Sequence, residues 1–560
     1  MNIAAQPSPT GWFKDLALLT LFIALLFGAF LGTRPFSVPD EGRYSEIPRE
    51  MVERADYVTP YLNGIKYFEK PPLLYWIQAA SIKTFGLSEW ALRLPTALIA
   101  LLGCLMTYMG GRLLYDRKTG FLSGIILATS ILYYAMAHSI TLDMAVSVAL
   151  TACLLAFIMG MQYPPGMKRR WLLSAMYIFA GFAVLTKGLI GIVFPAMIIG
   201  AWILVCHEWR SLKHMYLPSG VLLFLVIVLP WHILVQQANP EFFRFYFIEQ
   251  HFERYFTMNA GRYKPDWFFI PITLIGFFPW IVFLGQAITQ QIRMRTKREI
   301  FLLLWAGLIL IFFSLSNSKL IPYVLPIFPP LAIITGHYLT KKNTQGIRIG
   351  FHLLPLSAIA IALAVVYLPT FGNIPHLMAT QAALRHIAIV LLIGTIVTYL
   401  VYRWKSLNTA LITLTISSSI FLISIILAVP HVDTRSVKPL ATKIIELIKP
   451  TDQVVAYGLY YQDLPFYLQQ KIIVAEWIGE LEFGLRHQPE ATEWMINNAI
   501  FWPKWDDKKQ RIYMVISQKR FAEVVKNAPL ERKFFIIQET LDDLLVTNLA
   551  LPLRTITDSR

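Results

Sequence analysis

Residues 407–429 read LNTALITLTISSSIFLISIILAV, twenty-three positions without an Asp, Glu, Lys, Arg or His. A helix rises about 1.5 Å per residue, so a run of this length crosses the roughly 30 Å of hydrocarbon in a bilayer. The next stretch, PHVDTRSVKP at 430–439, restores charge and proline together. From about His431 to the end the composition is that of a water-soluble domain. That change places a helical membrane part at 1–430 and a small α/β domain at 431–560.

Toward the N-terminus comparable apolar runs recur, and about thirteen spans are expected on the criterion of about 20 mostly apolar residues. Their approximate limits are 13–33, 90–110, 119–137, 140–161, 171–186, 188–206, 216–236, 266–288, 299–315, 320–340, 349–369, 383–402 and 407–429. Only Thr186, Lys187 and Gly188 separate the fifth from the sixth. The first apolar run, Leu16 to Gly32, lacks a small-residue cleavage site and is read as a retained span. The whole chain agrees: 56% of its 560 residues are hydrophobic and 15% charged, against about a quarter charged in soluble domains.

The net charge of +16 would suggest nucleic acid in a soluble protein. Here the Lys and Arg sit in alternate short loops, such as Lys168, Arg169 and Arg170, or Arg293, Arg295, Lys297 and Arg298. The positive-inside rule then makes the N-terminus cytoplasmic and the C-terminal domain periplasmic. The implied partner is membrane lipid, with no nucleic acid. Cys104, Cys153 and Cys206 all lie in apolar runs and read as small hydrophobes. In the C-terminal part, strands are expected at Val454 to Tyr457, Ile472 to Ala475, Ile512 to Ile516, Phe534 to Ile537 and Leu544 to Val546. Helical patterns lie near Lys438 to Ile448 and Arg520 to Asn527.

Two outer segments exceed simple connectors, Arg34 to Glu89 and Gln237 to Pro265, and long loops in compact folds tend to be functional. The first carries PDEGRY at 39–44, then Glu46, Arg49 and Glu50, and YFEKPP at 67–72. Residues Ile47 to Arg54 also fit an interfacial amphipathic helix whose charges face water. Asp40 closely follows the first span, where an acid at the bilayer surface suits catalysis or cation binding. Further polar groups recur at outer span ends: His138, Thr141, Asp143, Lys187 and the Ser316 to Lys319 stretch. Ionisable groups at membrane depth are functional hypotheses by default, although Asp143 also fits a structural ion pair with Lys187 or Lys319. Acids beside cations at headgroup level suit a phosphate-bearing lipid. A nucleotide-binding loop is absent from the sequence, so energy comes from the substrate.

PDEGRYSEIPREM at 39–51, YFEKPP at 67–72, LTKG at 185–188 and SKLIPYVLP at 318–326 resemble the bacterial aminoarabinose transferases of lipid A. These belong to the protein mannosyltransferase-like group of GT-C glycosyltransferases. The resemblance implies an inner-membrane enzyme of GT-C fold. It would move a sugar, 4-amino-4-deoxy-L-arabinose or a relative, from undecaprenyl phosphate to lipid A with inversion. By motif position Asp40 looks like the catalytic aspartate and Asp143 a second acid. Arg43, Tyr67, Lys70 and Tyr323 look like donor-phosphate ligands, with Lys187 and Lys319 as additions. Glu69 and His251 match residues that hold a metal in relatives, and carboxylate plus imidazole suits zinc. Two alternatives stay open: a hexose transferase acting on protein or envelope glycan, and a transporter. Against the transporter stand the absence of paired half-repeats and charges that gather outside rather than at the midplane.

Overall fold

The computed structural model describes residues 11–253, 264–341, 344–371 and 380–551, and of 250–253 and 368–371 the backbone alone. It divides into two compact units, one of Met1–Arg34 with Phe68–Val432, the other of Pro35–Tyr67 with Asp433–Arg560. The second unit thus joins most of the first outer segment to the residues that follow Val432.

The first unit is helical, and helix occupies each of the stretches expected to span. Among the described residues seven helices are long and apolar enough to cross a membrane, or nine if each of two bent pairs is one span. Several of the thirteen expected spans are shorter, more charged or broken, for physical reasons. Trp12–Gly28 has 17 residues and Ile190–Val205 has 16. Met167–Lys187 begins on Lys168, Arg169 and Arg170 and ends on Lys187. In the stretch 320–340, Pro322 and Pro326 hold Ile321–Ile327 in a 3-10 turn before the helix Phe328–Leu339, since proline cannot sustain the α-helical ladder. The bent pairs break by 66° between Arg117–Ala128 and Ile131–Ala137, and by 111° between Asp266–Gly276 and Ile281–Met294. Trp280 Nε1 donates to Thr129 Oγ1 at 2.9 Å, tying one break to the other. At its start the first helix is pinned through Asp15, which accepts from Arg112 at 2.8 Å and from Arg117 at 2.7 Å.

The second unit contains a hairpin, β1 (Tyr61–Leu62) with β2 (Ile65–Lys66), and a six-stranded sheet. The sheet comprises β3 (Gln453–Tyr457), β4 (Ile473–Ala475), β5 (Met495–Ile496), β6 (Ile512–Ser517), β7 (Phe535–Glu539) and β8 (Asp543–Thr547). Their order is β5-β4-β3-β6-β8-β7, with β5, β4, β3 and β6 parallel and β8 and β7 antiparallel. The interior parallel strands read VVAY, IVA and IYMVI without alternation, as strands covered on both faces do. Helix Gln518–Asn527 starts where Ser517 accepts the Arg520 N–H, and helix Asn498–Asp506 starts where Asn497 accepts from Ile500. Phe501 and Trp505 of the latter enter the core beneath Tyr457, Met514 and Val546.

The same unit holds the helix Asp40–Arg54. Its charged residues include Glu46, Arg49 and Glu50, and one reading of the sequence set them facing water. Instead Glu46 is fully buried, with Glu50 and Arg49 nearly so. Arg49 clasps Glu46 in a fork of 2.6 and 2.7 Å, the planar geometry in which Arg meets a carboxylate best. Burial pushes the Glu46 carboxyl up, to about 8, against the pull of Arg49. Glu50 accepts the Gly64 N–H with both oxygens, at 2.9 and 3.1 Å, and so ties the hairpin to the helix. Asn63 and Gly64 at the hairpin tip both take positive φ, 52° and 77°, as a two-residue type I′ turn requires.

Candidate active site

In the second unit Asp40 opens its helix, where the positive end of the helix dipole favours a carboxylate. Glu41 turns back to accept the Ser37 N–H at 2.8 Å and fastens the chain's entry. Arg43, one turn on, donates from Nη1 to Asp40 Oδ1 at 2.7 Å. Its Nη2 forms an ion pair with Glu480, on the short turn Gly479–Leu481. Arg43 is 6% exposed whereas the Asp40 side chain is 46% exposed. The acid is thus open to solvent while the cation that orients it is buried. Among the described residues Arg43 Nε has no hydrogen-bond partner. Glu480 also accepts from Gln462 Nε2 at 3.1 Å. Tyr67 belongs to the same unit and is buried, its N–H donating to the Pro60 carbonyl at 2.9 Å.

Beside this group Asp463 is fully buried. Its Oδ2 accepts from Ser436 Oγ at 2.6 Å and from the Val437 N–H at 3.1 Å. Burial nonetheless pushes its carboxyl up, to about 7. An unfolded aspartate titrates near 3.9, so Asp463 contributes stability that is full below about pH 4 and is lost as pH rises through 7. Asp463→Asn is therefore expected to raise the melting temperature of the detergent-solubilised chain by about 5 °C at pH 8. The gain should shrink as the pH falls toward 4, which tryptophan fluorescence would follow. A gain that is the same at both ends of that range would contradict the assignment.

In the first unit the structure brings three of the expected residues together. Lys187 forms an ion pair with Asp143 at the start of the helix Leu142–Gly160. Its ammonium also stands 4.4 Å from the centroid of the Tyr323 ring, within the range of a cation–π contact. Asp143 therefore pairs with Lys187 and not with Lys319. Lys319 is buried and donates to the Lys264 carbonyl at 2.9 Å and to Asp266 at 3.3 Å. Glu69 and Lys70 are half-buried just before the helix Leu73–Phe85.

The side chain of His251 lies outside the described residues. Zinc takes three or four protein ligands, and among the described residues no group of three or more His, Cys, Asp and Glu is placed to hold a metal. Of the expected pair, Glu69 alone has a described side chain, and one carboxylate does not make such a donor set.

Sequence reasoning did not single out Glu480 as a site residue. It lies 437 positions from Arg43 in the chain, and no local pattern links them. The hairpin at 61–66 did carry a signal, because Asn-Gly between short apolar runs is the strongest short-range mark of a two-residue turn.

Residues 69–234 match the family model described as dolichyl-phosphate-mannose-protein mannosyltransferase. Residues 440–534 match the aminoarabinose transferase C-terminal domain. The undecaprenyl phosphate-alpha-4-amino-4-deoxy-L-arabinose arabinosyl transferase of Edwardsiella ictaluri is 32% identical over 346 residues, 60% of this chain and 62% of that one. The chain thus spans less than two thirds of that relative's length in the alignment. A similarly named transferase of Sodalis glossinidius is 29% identical over 516 residues, 89% of this chain and 92% of that one. Among solved structures, ArnT from Cupriavidus metallidurans bound to undecaprenyl phosphate superposes with a TM-score of 0.86 at 28% identity. That likeness covers 97% of this chain and 99% of the other.

Proposed function

The chain belongs to the protein mannosyltransferase-like GT-C glycosyltransferases, among the relatives of the aminoarabinose transferases, and from this we infer that it transfers a sugar from undecaprenyl phosphate. The sugar we propose is 4-amino-4-deoxy-L-arabinose, and the acceptor a phosphate of lipid A. The setting is the periplasmic face of the bacterial inner membrane, with the N-terminus cytoplasmic. The observation that carries this reading is the Asp40–Arg43 pair, a solvent-open acid held by a buried guanidinium on a buried helix.

In an inverting transfer an acceptor oxygen attacks the anomeric carbon as the bond from that carbon to the polyprenyl-phosphate oxygen breaks. The bonding pair stays on the departing phosphate, which gains negative charge, while the sugar passes through an oxocarbenium-like state. Fixed cations facing that phosphate lower the barrier. Arg43 is proposed for this role, and Lys70, Lys187, Lys319, Tyr67 and Tyr323 are proposed as phosphate ligands on their motif positions. A lipid A phosphate is already ionised near neutral pH, so Asp40 has little proton to remove. Its charge instead stabilises the cationic sugar and orients the acceptor. Asp143, neutralised by Lys187, is proposed as the second acid.

A second reading, transfer of a hexose to protein or glycan, draws on the mannosyltransferase match over 69–234. The aminoarabinose-type match at 440–534 favours the first. Mass spectrometry of lipid A from cells with the gene intact or deleted separates them. A pentosamine-sized addition that disappears on deletion is expected. Lipid A of identical mass in both strains would move the acceptor to protein or glycan.

A further inference from the structure

The segment Tyr460-Tyr461-Gln462-Asp463 follows β3, and the chemistry above leaves it without a role. Its backbone runs against the Asp40–Arg54 helix: a Cβ placed on Gly42 would stand 2.7 Å from Asp463 N and 2.8 Å from the Gln462 carbonyl carbon. From that contact the Gln462 side chain, in a residue 6% exposed, reaches Glu480, with Nε2 to Oε1 at 3.1 Å. The other oxygen of Glu480 pairs with Arg43 Nη2. Arg43 Nη1 in turn meets Asp40 at 2.7 Å.

We propose that Gln462 is a positioning residue that holds Glu480 and, through Glu480, fixes the guanidinium of Arg43 for the donor phosphate. The inference rests on the function proposed above. A guanidinium bonded through one arm can still turn about its stem, whereas two arms on two fixed oxygens define its plane. Asp40 is partly open to solvent and anchors one arm loosely. Glu480 anchors the other, and it is fixed when both its oxygens are engaged. Gln462 supplies the second engagement without adding charge. It therefore acts on orientation and leaves the field at the phosphate unchanged.

Gln462→Met keeps the length of the side chain and every charge, and removes the donor. In the purified full chain, with undecaprenyl-phosphate aminoarabinose as donor, kcat is expected to fall about tenfold, since misplaced catalytic groups lose rate steeply. The donor KM should stay within about threefold, because the departing phosphate gains charge only as the bond breaks. Binding of undecaprenyl phosphate, which carries that charge, should weaken in parallel. In an Arg43→Ala background Gln462→Met should change neither quantity further. Gln462→Asn, one methylene shorter, should behave like Gln462→Met and covers the case in which that variant does not fold. An unchanged kcat, or a loss that multiplies fully with Arg43→Ala, overturns the proposal. A wild-type chain that turns over no such donor sinks the functional reading alone. The same non-additivity in undecaprenyl phosphate binding would then still decide the role of Gln462.

Discussion

Asp40→Asn is expected to reduce sugar transfer by about 10²–10⁴-fold, the range for removing a charged group that acts on the reacting atoms. The amide is nearly isosteric and its oxygen can still accept from Arg43 Nη1, now 2.7 Å from the carboxylate. Geometry therefore survives while the charge is lost. Stability should hardly change, because the Asp40 side chain is 46% exposed and ion pairs open to water are worth only about 0–1 kcal/mol. Undecaprenyl phosphate should bind at least as well, since a like charge has gone. The check is a transfer assay read by mass spectrometry, with a melting curve and a product-binding isotherm on the same preparation. Activity within about threefold of wild type would mean that Asp40 does not act on the reacting atoms, and Asp143 would become the acid to test. A large loss shared with product binding and melting temperature would mean that the residue shapes the helix rather than the chemistry.

What could be read from the sequence followed from how local each signal was. The apolar stretches were visible because a spanning helix writes its length into consecutive residues, and each of those stretches is helical. Ends and breaks were less legible. Phe277 to Trp280 and Thr129 to Ser130 interrupt apolar runs without changing their composition, and the Trp280–Thr129 bond between them joins residues 151 positions apart. In the C-terminal part β3, β4, β6, β7 and β8 fall within a residue or two of expectation. The two-residue β5 went unseen, since Met495 and Ile496 are too few to make a pattern. In the first outer segment the local pattern of Ile47 to Arg54, with Glu46, Arg49 and Glu50, fits a helix whose charges face water. Burial came from partners elsewhere in the chain: Asn63 exchanges two hydrogen bonds with Ile472, and Arg43 finds Glu480. Pairings across some 400 positions leave no trace in local spacing.

Gly42→Ala is expected to be costly in the second unit's charged helix, because of what stands opposite. The added Cβ would come within 2.7 Å of Asp463 N, 2.8 Å of the Gln462 carbonyl carbon and 3.1 Å of Asp463 Cα. All three are backbone atoms, so no side chain can swing aside. The two segments must separate by several tenths of an ångström, and overpacking of this kind costs about 1–3 kcal/mol. Transfer is expected to fall further than stability, by about 100-fold, since a displacement of order 1 Å at reacting groups has that effect. The displacement is delivered where it matters: Asp40 and Arg43 lie on either side of Gly42, and Gln462 carries the bond to Glu480. Gly285→Ala is the control, in the helix Ile281–Met294, where an added Cβ meets nothing within 4 Å. Helix propensity alone favours that change by up to about 1 kcal/mol, and its transfer rate should match wild type. If Gly42→Ala also transfers at the wild-type rate, the segment after β3 does not press on the helix during turnover, and the chain from Gln462 to Asp40 has slack. If it melts normally but transfers poorly, the missing side chain at position 42 serves the placement of Asp40 and Arg43 more than the folding of the unit.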